Sequence, residues 1–283
     1  MSQQSLLSPV TRLLCGLALC LCLPWASAQD LPVAVSVTGN VATVRVGLPS
    51  QPQFAELTLA FDDASGLSAA SLGVSARLVD VSDPALLARL PDGSVNQLQA
   101  AFPLMLTIEP PAQGGLSFRR TVHVEVHTHA LSYVAGSPLR LFKAPIDGSF
   151  RDITDDIAPG SIRARGTTGG FSQFLVLADL RATSDVVAAK FARLQTLVSQ
   201  VPLAERGPLQ MDADSAQAAY AQGRYADALN ALDQLRARVQ DRAGLAIPDE
   251  WRATRDADNI AGELLASANT LDFSIGYQRD YGH

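Results

Sequence analysis

The spacing of apolar residues changes near Arg181, and this change constrains the fold more than any other feature of the sequence. Before it, apolar residues recur at every second position in short runs, which is the period of β-strands. After it they recur every three to four residues, the period of helices that face a core. Strands followed by helices indicate a segregated α+β fold. We therefore expect an antiparallel β-sandwich over residues 29–182, followed by a small α-helical region over residues 183–283.

The sandwich is predicted to begin with a β-hairpin around Gly39-Asn40. Short runs of valine alternate with smaller residues on both sides of this dipeptide. A two-residue turn there places Val35 opposite Val44 and Val33 opposite Val46, so that the valines share a face.

Seven further segments have strand-like patterns, and turn signals rich in Pro, Gly and Asp separate them. Many short strands with little helix between them favour an antiparallel sandwich. The segments are 54–61, 74–81, 104–109, 122–131, 139–144, 161–165 and 171–178.

Three amphipathic helices are predicted beyond the change of period. The first begins after Ser184 as its N-cap and ends at Pro202. The second covers residues 218–239, and its first half resembles a single tetratricopeptide helix pair, too little to stack into a solenoid. The third begins around Pro248-Asp249 and carries Trp251. These helices can form a bundle or pack on the sandwich.

Residues 1–28 have the pattern of an export signal. Arg12 is its positive residue, residues 13–23 are its apolar segment, and Ala26-Ser27-Ala28 is its cleavage site. All three cysteines lie inside this segment, so a chain cleaved after Ala28 has no disulfide and no thiolate ligand or nucleophile. We expect a periplasmic or secreted protein.

The chain beyond residue 28 is acidic, which limits its partners. It carries 21 of the 22 basic residues and all 28 acidic ones, a formal charge of −7. This balance argues against nucleic acid as a partner. No apolar run approaches the roughly 18 residues of a membrane span, so no transmembrane segment is expected after cleavage. An envelope protein or a glycan is the expected partner.

The densest polar cluster lies on one predicted strand. Because side chains alternate along a strand, His123, Glu125, His127 and His129 share one face. A His-x-His pair can bind zinc or copper when a neighbouring strand adds a ligand. The same pattern also suits a solvated or interface-facing strand surface.

Two other segments offer candidate ligands. Asp152, Asp155 and Asp156 could present oxygen atoms to calcium, a weaker prediction because such residues also cap turns. Arg163 and Arg165, before a glycine-rich segment, could contact an anion, or belong to an ordinary hairpin. The motifs of serine hydrolases and zinc proteases are missing from the sequence, which favours a protein that is not an enzyme without excluding one.

Seven segments of the sequence contain short motifs that follow one another in a characteristic order. They are residues 102–111, 124–133, 138–145, 150–154, 166–176, 247–252 and 258–265. Together they resemble a family of secreted bacterial proteins of unknown function, and the resemblance covers nearly the whole chain beyond the signal. It implies no established activity. The order of the 138–145, 150–154 and 166–176 segments also looks like the last strands of sandwich modules in bacterial surface proteins, which supports the fold alone.

These observations lead to two functional hypotheses. The first is an exported, non-enzymatic binding or scaffolding module of the cell envelope or the extracellular space. The alternative is a metal-binding protein or metal-dependent hydrolase that uses the histidine-rich strand 123–129.

Overall fold

The computed structural model describes residues 29–48 and 51–282. The predicted export signal at residues 1–28 lies outside the described residues. The helices are α1 (Ala69–Leu72), α2 (Pro84–Leu87), α3 (Thr183–Gln200), α4 (Leu203–Ala221), α5 (Tyr225–Arg242) and α6 (Ile260–Tyr281). The strands are β1 (Gln29–Leu31), β2 (Val33–Thr38), β3 (Val41–Leu48), β4 (Gln51–Ser65), β5 (Val74–Leu78), β6 (Asn96–Leu98), β7 (Leu104–Ile108), β8 (Ser117–Thr128), β9 (Leu139–Ala144), β10 (Arg151–Asp152), β11 (Thr154–Ala158), β12 (Ile162–Thr168), β13 (Gln173–Asp179) and β14 (Glu250–Arg252).

Within these residues the strands form two antiparallel sheets of seven strands each. The first sheet has the order β1-β5-β7-β13-β9-β10, with β6 also paired to β13. The second has the order β11-β12-β8-β4-β3-β2, with β14 paired to β8. One apolar core contains side chains of both sheets. The predicted α+β fold, an antiparallel sandwich followed by a helical region, is confirmed.

The predicted hairpin has the predicted register. In β2 and β3, Val33 pairs with Val46 and Val35 with Val44. Gly39 adopts a φ of +56° in the turn, a conformation that glycine tolerates best. Val44 and Val46 are fully buried, and a one-residue slip would turn both out of the core.

The chain changes sheets at Ile153. The short strand β10 pairs with β9 in the first sheet, whereas β11 pairs with β12 in the second. Ile153 lies between them and is buried in the sandwich core. Neither β10 nor β11 was predicted, because both are short and together they carry three carboxylates, Asp152, Asp155 and Asp156. The helical region contacts the sandwich at this corner, through β11, and also along β8 and β12.

The helical region differs from the sequence prediction in the number of helices. Among the described residues it contains four long helices instead of three, because the segment predicted as one helix over 218–239 spans the end of α4 and most of α5. Gly223, with a φ of +69°, lies in the turn between them. The prediction that the first helix ends at Pro202 is confirmed, although its N-cap is Ala182 and not Ser184.

Trp251 lies on a strand, which corrects the prediction of a helix from Pro248. It belongs to β14 and pairs with Phe118 of β8. Its ring stacks on Phe118 and meets the edge of Phe171. Burial of the indole in this aromatic cluster outweighs the local helical pattern. The last helix begins only after Asn259, whose side chain accepts a hydrogen bond from the Gly262 N–H.

The last helix, α6, joins the two parts of the molecule. It contacts α3 and α5 on one side and β8, β11 and β12 on the other. Two glycines permit this close approach, because a Cβ on Gly169 or on Gly262 would collide with the backbone of the other part. Over residues 29–48 and 51–282, every helix is too short or too polar to cross a bilayer.

Candidate ligand-binding site

A cavity of about 220 Å³ lies where α3 and α6 meet the sheet-changing corner. Part of its wall is apolar and includes Phe150, Ile153, Val186 and Ala266. The other part is ionisable and includes Arg151, Asp152, Lys190, Arg193 and Glu263. Both the sandwich and the helical region therefore contribute to one partly open cavity.

Lys190 and Asp152 form a buried ion pair on this wall. The Lys190 ammonium donates to Asp152 Oδ2 at 2.6 Å, to the Thr270 carbonyl at 3.0 Å and hydroxyl at 2.7 Å, and to the Ser274 hydroxyl at 2.8 Å. Burial opposes the charge on Asp152, but Lys190 and Arg140 outweigh it and lower the pKa of that carboxyl. The pair joins α3 and α6 to strand β10.

Glu263, in the first turn of α6, is the centre of a second, partly buried cluster. Its carboxylate lies 3.3 Å from the Lys143 ammonium, 2.8 Å from Arg151 and 2.7 Å from Arg193. Burial opposes ionisation of Glu263, but the three cations outweigh it and hold the pKa of this carboxyl well below its usual range. Burial lowers the pKa of Lys143 to about 8, although Glu263 opposes this shift.

The histidine-rich strand lies on the outer face of the second sheet. Glu125 accepts hydrogen bonds from Arg163 and, at 2.6 Å, from Arg165, and its carboxylate is thereby occupied. His123 Nδ1 lies 3.1 Å from the Thr167 hydroxyl, and His129 Nδ1 lies 2.7 Å from the Ser161 hydroxyl. His123, Glu125 and His127 therefore share one face of β8 as predicted, whereas His129 follows the end of the strand, and the four side chains have different neighbours.

His127 and His129 are the two of these four side chains that contact each other. Their ring centroids are 4.8 Å apart, and His127 Nε2 is buried with no hydrogen-bond partner in the described structure. In the part of the chain that the structure describes, no three His, Cys, Asp or Glu side chains are arranged to hold a metal ion.

The three aspartates considered for calcium are divided among different partners. Asp152 binds Lys190, and Asp156 accepts from Arg165 at 2.8 Å. Asp155 accepts from the Thr167 hydroxyl, while its other oxygen is buried without a partner in the described structure. Burial raises the pKa of Asp155 to about 7. Thr167 thus lies between His123 and Asp155, a contact that the sequence did not predict.

Comparison with protein families identifies a family of unknown function. The profile of a family of unknown function, DUF6689, matches residues 16–279. The chain belongs to this family. The resemblance drawn from the sequence to a family of unknown function is thereby confirmed, and membership in DUF6689 assigns no activity. Curated proteins show no match, and neither do solved structures.

Apart from Asp152, which was considered only as a calcium ligand, the charged residues around the cavity of this DUF6689 chain were missed in the sequence. They come from distant parts of the chain. Lys143, for example, belongs to a strand of the sandwich, and Glu263 lies in α6, 120 residues later. One signal could have found two of them. The sequence contains only two lysines, Lys143 and Lys190, and both are buried here. Lys190 also lies on the apolar face of its helix, three residues after Val187 and four before Leu194.

Proposed function

We propose that this chain is an exported, non-enzymatic binding protein and that the cavity between the sandwich and the helices is its ligand site. One observation carries the proposal: a partly open, largely apolar cavity on which several charged side chains converge. This combination is typical of small-molecule sites, which often lie between domains. Export is supported by the basic residue, apolar segment and small-residue cleavage site within residues 1–28.

The size of the cavity narrows the expected partner. A volume of about 220 Å³ lies below the range of about 300–1,000 Å³ that is typical of pockets for drug-sized ligands. This space suits a small molecule, and not a folded envelope protein or a long glycan. The ion-paired state of the wall favours binding over catalysis. Lys190 is held by Asp152, Thr270 and Ser274 and therefore has no free lone pair with which to attack a substrate.

A blocking substitution at the rim tests the proposal. Ala189 lines the cavity from α3, whereas Ala192 lies on the same helix, is exposed and does not line it. Native mass spectrometry of the protein purified from envelope extracts should detect a bound small molecule in the wild type and in Ala192→Trp. Ala189→Trp should lose that molecule while keeping its circular dichroism spectrum. Equal loading of both variants, or an empty wild type, would reject the cavity as the site.

Metal binding is the second candidate, and the buried, unpartnered Nε2 of His127 beside His129 favours it. An imidazole nitrogen in this state lacks the partner that a metal ion supplies. Elemental analysis after dialysis against Zn²⁺ or Cu²⁺ should then find about one ion per chain, and His127→Ala/His129→Ala should lose it. A wild-type protein with no stoichiometric metal and no thermal shift with Zn²⁺, Cu²⁺ or Ca²⁺ would reject this candidate.

A further inference from the structure

The Glu263 cluster has more positive than negative charge. Three cations, Lys143, Arg151 and Arg193, share the single carboxylate of Glu263. The other two cations on the cavity wall have carboxylates of their own, because Lys190 pairs with Asp152 and Arg181 with Asp179. In a chain whose formal net charge is −6, this local excess is opposite in sign to the whole molecule.

The two arginines of the cluster have donors to spare. Arg151 and Arg193 each direct one Nη2 toward the same oxygen of Glu263, at 2.8 and 2.7 Å. A guanidinium group has five N–H donors, and within residues 29–48 and 51–282 Glu263 is the only hydrogen-bond acceptor of either side chain. Their side chains are 28 % and 38 % exposed, so a ligand entering the cavity can reach both.

The rest of the wall selects the body of the ligand. Phe150, Ile153, Val186 and Ala266 give no side-chain donor or acceptor, so they favour an apolar group. Guanidinium groups pair best with planar or tetrahedral oxyanions through two parallel hydrogen bonds. In a partly dehydrated site, an anion beside two unbalanced positive charges is attracted far more strongly than in bulk water.

We infer that the ligand of this cavity is a compact organic anion, whose head group is bound by Arg151 and Arg193 and whose apolar body lies against Phe150, Ile153 and Val186. The inference rests on the proposed function, since it names the ligand class of the same site. Carboxylate and phosphate head groups share the required chemistry, and the probes below separate them.

Three probes with one ring and different charges test the ligand class. Benzoate, benzyl alcohol and benzylamine are titrated into the full protein by isothermal calorimetry, with inorganic phosphate as a fourth arm. We expect benzoate to bind most tightly, benzyl alcohol about tenfold more weakly or worse, and benzylamine not at all. Phosphate should bind more weakly than benzoate, because it leaves the apolar wall uncovered.

A pair of arginine variants locates the head group. Arg193→Gln removes one of the two proposed contacts and leaves Glu263 with Lys143 and Arg151. Arg238→Gln is the control, since Arg238 is a similarly exposed arginine of α5 that pairs with Asp212 of α4 and does not line the cavity. Benzoate affinity should fall about tenfold or more in Arg193→Gln and stay unchanged in Arg238→Gln, with melting temperatures confirming that both fold.

The outcomes separate this inference from the proposed function. Benzyl alcohol or benzylamine binding as tightly as benzoate, with binding abolished by Ala189→Trp, would overturn the anion while leaving the cavity as a ligand site. Phosphate binding without benzoate binding would overturn the apolar body. Equal loss of affinity in both arginine variants, or no binding by any probe, would also overturn the inference. The Ala189→Trp experiment decides on the cavity independently.

Discussion

The molecule has two buried interfaces of opposite chemistry. Between the two sheets, the core is made of apolar side chains such as Leu59, Val124 and Phe174, all almost completely buried. Between the sandwich and the helices, Lys143, Lys190, Asp152 and Glu263 are buried or largely so. Apolar burial stabilises a fold directly, whereas a buried ion pair must offset the loss of hydration before it contributes anything. The first interface therefore explains the stability of the sandwich, and the second is where we expect function.

The largest expected effect belongs to the core between the sheets. Phe174 is fully buried on β13 in the first sheet. Phe174→Ala should lower the free energy of unfolding by about 3–5 kcal/mol, measured by urea denaturation. Ligand affinity of the molecules that remain folded should not change. A loss below about 1 kcal/mol would mean that the core relaxes to fill the space left by the phenyl ring. The contrast between the two interfaces would then be weaker than their composition indicates.

Breaking the buried pair tests the second interface. Lys190→Met leaves Asp152 buried without its main partner and should destabilise the protein by about 3 kcal/mol. The double variant Lys190→Met/Asp152→Asn removes both charges and keeps an oxygen that can accept the two hydrogen bonds from Thr154. It should therefore be more stable than Lys190→Met alone. Additive losses in the same denaturation assay would show that the pair contributes through packing and not through charge compensation.

Asp155 gives a pH-dependent difference of intermediate size. Its folded pKa of about 7 lies above the ordinary value of 3.8, so between about pH 4 and 7 the folded state holds a proton that the unfolded state has lost. This contribution to stability is complete below pH 4 and is lost as the pH rises through 7. Asp155→Asn cannot ionise and should therefore be more stable than the wild type at pH 8. We expect a difference of roughly 2 kcal/mol, less than the full pKa shift implies, because water and relaxation of the protein lower the cost of ionising Asp155.

The difference in stability between the wild type and Asp155→Asn isolates the effect of Asp155 from those of Asp152 and Glu263. The lowered pKa values of Asp152 and Glu263 give the opposite trend in acid. The stability of both proteins is compared at several pH values from 4 to 8. The advantage of Asp155→Asn should shrink toward pH 4. A constant difference across this range would show that the variant acts through the Thr167 hydrogen bond and not through ionisation.

The smallest expected effect lies on the outer face of the second sheet. Arg163 donates to Glu125, and both side chains remain partly exposed. Arg163→Gln should change the free energy of unfolding by less than about 1 kcal/mol, because solvent screens such pairs and Arg165 keeps its own contact with Glu125. A change as large as that expected for Lys190→Met would show that this surface pair matters as much for stability as the buried pair.

The sandwich was predictable because its rules are local. The register of Val35 and Val44 follows from a two-residue turn and a period of two, and Leu139–Ala144 has the same bounds as predicted. Strand β14 was not predictable in this way, because three residues around Trp251 carry no alternation. They form a strand only because the Trp251 ring packs against the rings of Phe118 and Phe171 in the folded protein.

The candidate site depends on contacts that no local pattern encodes. Glu263 meets Arg151 across 112 residues of sequence and Arg193 across 70. Its position depends on Asn259, which caps α6 and also donates to the carbonyls of Arg120 and Gly169. The histidine and aspartate clusters were found because their members are neighbours in sequence. The charges around the cavity are neighbours only after folding.

The burial of both lysines has a practical consequence for chemical labelling. Amine-reactive esters need an exposed, unprotonated amine, and Lys143 and Lys190 are only 4 % and 7 % exposed. A folded molecule should therefore react at its α-amino group and almost nowhere else, which permits the attachment of a single dye. The rate of slow labelling at Lys190 would then report how often α3 and α6 separate from the sandwich. This rate can be measured by mass spectrometry of the labelled protein.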